Sequence, residues 1–263
     1  MLLYNHIHAH KRNILFAGPT GCGKTEIWRV MARLYPNIRI IDSTMLTMQG
    51  WSGSFKVRDI FSSMSQEEAE KAIIVFDEFD KFCEPLYGSN GTNYGAAAQN
   101  ELLKLIEGGQ IYFPADKGKP ALELDSSGIS FVFCGSFERL TDVKTESESS
   151  MGFGNKIQKK DAYVQYEKEI TVEDLVRYAG IRQEIGGRIN QIVQLQGMTA
   201  EDYKKILQDK TISPLHQLER QYGVKLRLGE REREKLAQEA ERTKMGVRYL
   251  RSKIQQMLDE QLF

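Results

Sequence analysis

Asn13-Ile-Leu-Phe-Ala-Gly18-Pro-Thr-Gly-Cys-Gly-Lys24-Thr25 is the stretch from which the rest of the chain can be read. Residues 13–17 form a short apolar run that predicts a buried strand, and Lys24 to Leu34 predicts a helix. Between them the residues fit GxxxxGK[ST], in the strand–turn–helix context that this pattern requires. Glycines let consecutive backbone N–H groups turn inward and form an anion nest. The helix N-terminus adds a favourable dipole for negative charge. Lys24 is then placed to reach the terminal phosphates of a nucleoside triphosphate, and the Thr25 hydroxyl to coordinate Mg²⁺. The residues expected to hold ATP are therefore Gly18, Pro19, Thr20, Gly21, Cys22, Gly23, Lys24 and Thr25, with Glu26 next to them on the helix.

Working outward, Ile38 to Ile41, Ala72 to Phe76 and Ile129 to Cys134 read as three more short apolar strands. Helical patterns lie between them, as at Ala97 to Ile106, with apolar residues at Ala98, Leu102, Leu105 and Ile106. Alternating strands and helices predict a mostly parallel sheet covered on both faces. The third strand ends in Ile73-Ile-Val-Phe-Asp77-Glu78. A buried strand would deliver Asp77 beside the glycine-rich turn, where it can hold Mg²⁺ through water. Glu78 would then polarise the attacking water as general base.

The character changes after about residue 197. Apart from a short apolar stretch near Val224 to Leu226, only helices are predicted there. The clearest is Gly246 to Leu262, where Val247, Leu250, Ile254, Met257, Leu258 and Leu262 form one stripe. The chain is therefore divided into an α/β domain over 1–196 and a small, mainly helical domain over 197–263. Residues 142–168 are polar and read as an exposed loop. Lys+Arg and Asp+Glu are equal at 36 each, so nothing points to nucleic acid or to a membrane surface. No apolar run approaches the roughly 18 residues that span a bilayer. Cys22, Cys83 and Cys134 are far apart and form no CxxC pair, which suggests neither a zinc knuckle nor a disulfide framework, and makes a reducing cytoplasm the expected location. His6, His8 and His10 alternate without a carboxylate or cysteine nearby, and read as a polar helix face rather than a metal site.

The order of motifs resembles the AAA+ ATPases, and four further stretches narrow the resemblance to the ClpX family. Gln99-Asn-Glu-Leu-Leu-Lys-Leu-Ile-Glu-Gly108 is similar to that family's "ALLKLIEG", and Phe131-Val-Phe-Cys-Gly-Ser-Phe137 to its "FICGGAF". Asp174 to Arg188 runs parallel to "EDLIKFGLIPEFIGR", and Lys244-Met-Gly-Val-Arg-Tyr-Leu-Arg251 matches "KTGARGLR". The resemblance covers nearly the whole chain, in order. Two features of the family have no counterpart in these residues: the four-cysteine zinc domain in front, and the "VIGQ" box near adenine. The resemblance thus implies either a piece of a longer protein or a minimal relative.

It also implies roles at matched positions. Arg188 falls where ClpX-like proteins carry an arginine finger that enters the neighbouring subunit's site and stabilises charge on the transferring phosphoryl group. Arg248 falls at the sensor-2 position, on the bound nucleotide. Either Cys134 or Ser136 stands for sensor 1. Gly50-Trp51-Ser52-Gly53 matches the central pore loop, where an aromatic side chain grips a polypeptide by non-specific apolar contact. A second pore loop is expected between Tyr87 and Gly95. The family's basic "RKH" loop has only Lys117 and Lys119 as candidates. Met151-Gly152-Phe153-Gly154 matches the "IGFG" loop that docks into the ClpP peptidase. The implied protein is a hexameric ATPase that unfolds protein substrates and threads them to a ClpP-like peptidase, with no protease constellation of its own. The alternatives are a peptidase-independent remodelling ATPase acting on protein assemblies and, on weaker grounds, a nucleic-acid-associated AAA+ motor.

Overall fold

The structure is a computed structural model that describes residues 11–46, 55–87, 91, 93–116, 118–138, 140 and 169–262. These residues divide into two compact units. The first contains residues up to Gly18 and then Lys24 onward as far as Leu195. The second contains Pro19–Gly23 and the residues from Gln196 on.

The first unit is built on a five-stranded sheet. Its strands are β1 (Asn13–Ala17), β2 (Ile38–Asp42), β3 (Ile73–Asp77), β6 (Ser130–Gly135) and β7 (Gln191–Gln194), in the order β2-β3-β6-β1-β7. All four pairings are parallel. A parallel sheet is covered on both faces, so its strands read as continuous apolar runs although successive side chains point to opposite sides. Leu15, Ile74, Phe76, Phe131 and Phe133 pack on one face, with Leu102, Leu105 and Leu175 from the helices α4 (Tyr94–Glu107) and α5 (Val172–Tyr178). Their neighbours Ile14, Phe16, Ile73, Val75, Val132 and Cys134 pack on the other, with Trp28 and Met31 of α1 (Lys24–Leu34).

The aromatic side chains give the first face its geometry. Phe76 stacks on Phe131 and Phe133, with ring centroids 6.2 and 5.8 Å apart. Phe79 lies 4.5 Å from Phe133 and belongs to the short α3 (Phe79–Phe82), which follows β3 directly. Before β3 comes α2 (Gln66–Glu70), whose first turn is capped by Ser65, with Glu68 returning a bond to the Ser65 N–H.

Three strands lie outside the sequence reading. β7 is a four-residue edge strand with glutamines at both ends, so it lacks the apolar run that marked the others. β4 (Gln110–Phe113) and β5 (Leu122–Asp125) form a separate antiparallel hairpin. A further short helix of this unit is α6 (Gln183–Gly186).

The second unit contains α7 (Ala200–Gln208), α8 (Pro214–Tyr222), α9 (Glu230–Thr243) and α10 (Val247–Leu262). Thr199 caps α7 and its backbone N–H is capped in return by Asp202. Ser213 precedes Pro214, which takes the first helical position where its missing N–H costs nothing. The core joins Tyr203, Leu207, Leu215, Leu218, Leu236 and Ala240 to Leu250, Ile254 and Leu258 of the α10 stripe. Val247 and Met257 of that stripe pack against it. Among the described residues no helix is long and apolar enough to cross a membrane.

Phe76 is fully buried among three aromatic neighbours, so truncation leaves a cavity that rings cannot collapse into. Phe76→Ala is expected to cost about 3–5 kcal/mol, read as a lower urea midpoint for unfolding of the first unit in the full chain.

Candidate nucleotide-binding site

The parallel register brings the candidate residues to one edge. Ala17 pairs with Gly135, and the Gly18 N–H donates to the Gly135 carbonyl at 3.3 Å, so the turn leaves the sheet in step with β6. Gly21 and Gly23 take φ of +82° and +96°, a left-handed backbone that a side chain would strain. α1 begins at Lys24. Its buried side chain donates to the Gly18 carbonyl at 2.6 Å.

β3 supplies the acids. The Thr25 hydroxyl donates to Asp77 Oδ2 at 2.7 Å, which joins the start of α1 to the end of β3 across 52 residues of chain. The Glu78 N–H donates to Asp77 Oδ1 at 3.2 Å. Glu78 itself stands at φ 55°, ψ 34°. A left-handed glutamate costs roughly 1–3 kcal/mol and persists only where its surroundings fix it. Its carboxylate is half exposed and accepts from Lys81 Nζ at 2.7 Å, a bond that raises the Lys81 pKa above its ordinary value.

Thus the structure brings Lys24, Thr25, Asp77 and Glu78 together. A hydroxyl and a carboxylate at hydrogen-bond distance are hard oxygen donors of the kind Mg²⁺ takes beside substrate phosphates. A buried ammonium resting on a carbonyl is a cation suited to a phosphate group.

The other expected residues stand as follows. Cys134 is buried in the core face shared with Trp28. Ser136 lies beyond the end of β6, where its hydroxyl donates to Asp80 Oδ2 at 2.7 Å. Arg188 follows α6, and its guanidinium donates to the Glu184 carbonyl at 2.6 Å and to Glu107 Oε1 at 2.7 Å. Arg248 is exposed in the first turn of α10, within the second unit. Gly50, Trp51, Ser52 and Gly53, Met151, Gly152 and Phe153, Lys117, and His6, His8 and His10 lie outside the described residues, as does most of the stretch 88–92. Lys119 is described, and its ammonium is paired with Asp59 at 2.6 Å. Asp80 went unnoticed in the sequence. Its signal was an acid two residues after Glu78, in the first turn of a helix.

A glycine-rich turn between a buried strand and a helix, whose first-turn Thr25 hydroxyl is bonded to a strand-end acid, defines a P-loop nucleotide-binding protein. Residues 14–141 match the family described as "ATPase family associated with various cellular activities (AAA)". The chain is also 30% identical, over 283 aligned positions, to the ATP-dependent Clp protease ATP-binding subunit ClpX of Treponema denticola. That alignment takes in 99% of this chain and 68% of the relative. This chain belongs to the AAA family of ATPases.

Two outcomes test the site. Lys24→Ala is expected to weaken ATP binding roughly 10- to 100-fold, as the loss of a charged hydrogen bond of about 1.5–3 kcal/mol would, with an unchanged circular dichroism spectrum. Arg188 and Glu107 are both partly exposed. Arg188→Ala should therefore shift the unfolding free energy by no more than about 1 kcal/mol, so that any larger loss of turnover is not a loss of fold.

Proposed function

We propose that this chain is the ATP-hydrolysing subunit of a ring that unfolds polypeptides and feeds them to a ClpP-like peptidase. The observation that carries the ATPase core of this reading is the Thr25–Asp77 bond, with Lys24 and Glu78 on either side of it. The resemblance over 99% of the chain to a relative named as the ATP-binding subunit of a Clp protease supports the rest.

Each residue then has a task. Lys24 leaves the Gly18 carbonyl to hold the terminal phosphates, and the N–H groups of residues 20–25 line the phosphate chain. Thr25 and Asp77 would hold Mg²⁺, which supplies charge neutralisation between the phosphates. Glu78 orients the attacking water and takes its proton, once its carboxylate exchanges Lys81 for that water. Arg188 gives up Glu107 to serve a neighbouring subunit in a homo-hexamer, and Arg248 senses the nucleotide from the small helical domain. Trp51, within Gly50 to Gly53, grips the protein substrate. Met151 to Phe153 dock on the peptidase.

The ring reading is tested with ATP turnover and solution size measured together. Wild type should hydrolyse ATP as a hexamer. Glu78→Gln should assemble and bind ATP with turnover reduced about 100-fold or more. Arg188→Ala should also assemble and turn over poorly, and mixing it with Glu78→Gln should restore part of the activity. Full activity of Arg188→Ala, or turnover by a monomer, would sink the role in trans. A peptidase pull-down lost in Phe153→Ala and retained in Trp51→Ala would support docking.

A further inference from the structure

Asp80 joins the two strand ends that flank the site. Its Oδ2 accepts three bonds from the turn after β6: the Ser136 hydroxyl at 2.7 Å, the Ser136 N–H at 3.2 Å and the Phe137 N–H at 3.2 Å. Both sides of this contact are held in backbone conformations that non-glycine residues rarely adopt, Glu78 at φ 55° and Phe137 at φ 49°. The fit is close. A Cβ on Gly135 would stand 2.8 Å from Asp80 Oδ1 and 2.7 Å from the Phe137 ring. Phe137 is almost fully buried and so holds the turn from below.

The arrangement has a chemical consequence. A serine hydroxyl carries one proton, and that of Ser136 is donated in the hydrogen bond to Asp80. Ser136 is therefore placed to act through Asp80 rather than by donating to a phosphate itself. Asp80 lies in the first turn of α3, and Glu78 is the residue immediately before that helix. A carboxylate that accepts backbone and hydroxyl bonds is a strong anchor, because charge-assisted bonds are about twice as strong as neutral ones.

We propose that Asp80 is a positioning residue for ATP hydrolysis, which with Ser136 locks the turn after β6 to α3 and thereby fixes the direction of the Glu78 carboxylate. This inference rests on Glu78 serving as the general base. Misplacing a catalytic group by an ångström is enough to slow turnover on the order of 100-fold without loss of binding. Asp80 would thus act on kcat and not on the nucleotide's hold, which is set by Lys24 and the turn 18–25.

The test compares Asp80→Asn, Ser136→Ala, Ser136→Thr and Glu78→Gln in the full chain, with kcat, KM for ATP and thermal midpoint measured for each. Expected are a fall in kcat of roughly 10- to 100-fold in Asp80→Asn, a smaller fall in Ser136→Ala, and recovery in Ser136→Thr, which keeps the hydroxyl. KM should stay within about twofold throughout. The double variant Asp80→Asn/Ser136→Ala should be no slower than Asp80→Asn alone, because the two act as one unit. Amide hydrogen exchange gives a readout that needs no turnover: Ser136 and Phe137 should exchange faster in Asp80→Asn while Val132 to Cys134 do not. Full kcat in Asp80→Asn beside an inactive Glu78→Gln would overturn the proposal and leave the general base standing. Equal losses in kcat, KM and thermal midpoint would overturn it in favour of a merely structural acid, as would unchanged exchange at Ser136 and Phe137. Turnover by Glu78→Gln at the wild-type rate would remove the general base and this inference with it.

Discussion

Parallel pairing of β1, β3 and β6 is the constraint on which the site depends. Parallel strands all end at the same edge, so a fixed register fixes which residues meet there. Ala17 stands opposite Gly135, and Phe76 opposite Phe133. Each chain therefore leaves the sheet within a residue of its neighbours. Gly18, Glu78 and Ser136 are the first residues beyond those ends. The apolar faces hold that register, because a slip of one residue would exchange the two core surfaces. Leu15, Phe76 and Phe133 would then face α1, and Phe16 and Cys134 would face α4 and α5.

At that edge the fold holds polar groups in demanding positions. Lys24 is buried with its ammonium on a carbonyl, and Asp77 accepts from both Thr25 and Glu78. Two non-glycine residues, Glu78 and Phe137, take left-handed backbone on opposite sides of Asp80. Sites of this kind cost stability locally and are maintained by the packing beneath them. Here that packing is the aromatic group of Phe76, Phe79 and Phe133 beneath the strand ends. The link from core to chemistry is thus short: the rings that stabilise the sheet also seat the helix that carries Asp80.

Legibility in the sequence followed burial. β1, β3 and β6 were readable because both of their faces are covered, which leaves apolar runs with no polar interruption. α1 was readable from its position after the glycines, and α10 from its stripe. β7 was not, since an edge strand with Gln191 and Gln194 at its ends needs only Ile192 and Val193 to face inward. The β4–β5 hairpin was missed because its strands are four residues each and separated by a turn. Within the site, Lys24, Thr25, Asp77 and Glu78 were legible because each lies at a fixed offset from a strand or helix end.

The sequence by itself determined the α/β class, the buried strands β1, β3 and β6 and the residue types at the turn and at the end of β3, because glycine, lysine, threonine and paired acids carry their chemistry in local spacing. Only the tertiary structure decided how those groups are paired. It set Ser136 on Asp80 and placed Arg188 on Glu107. The physical reason is that hydrogen bonds between residues 56 or 81 positions apart depend on how strands and helices stack, and no local pattern of residue types encodes that distance.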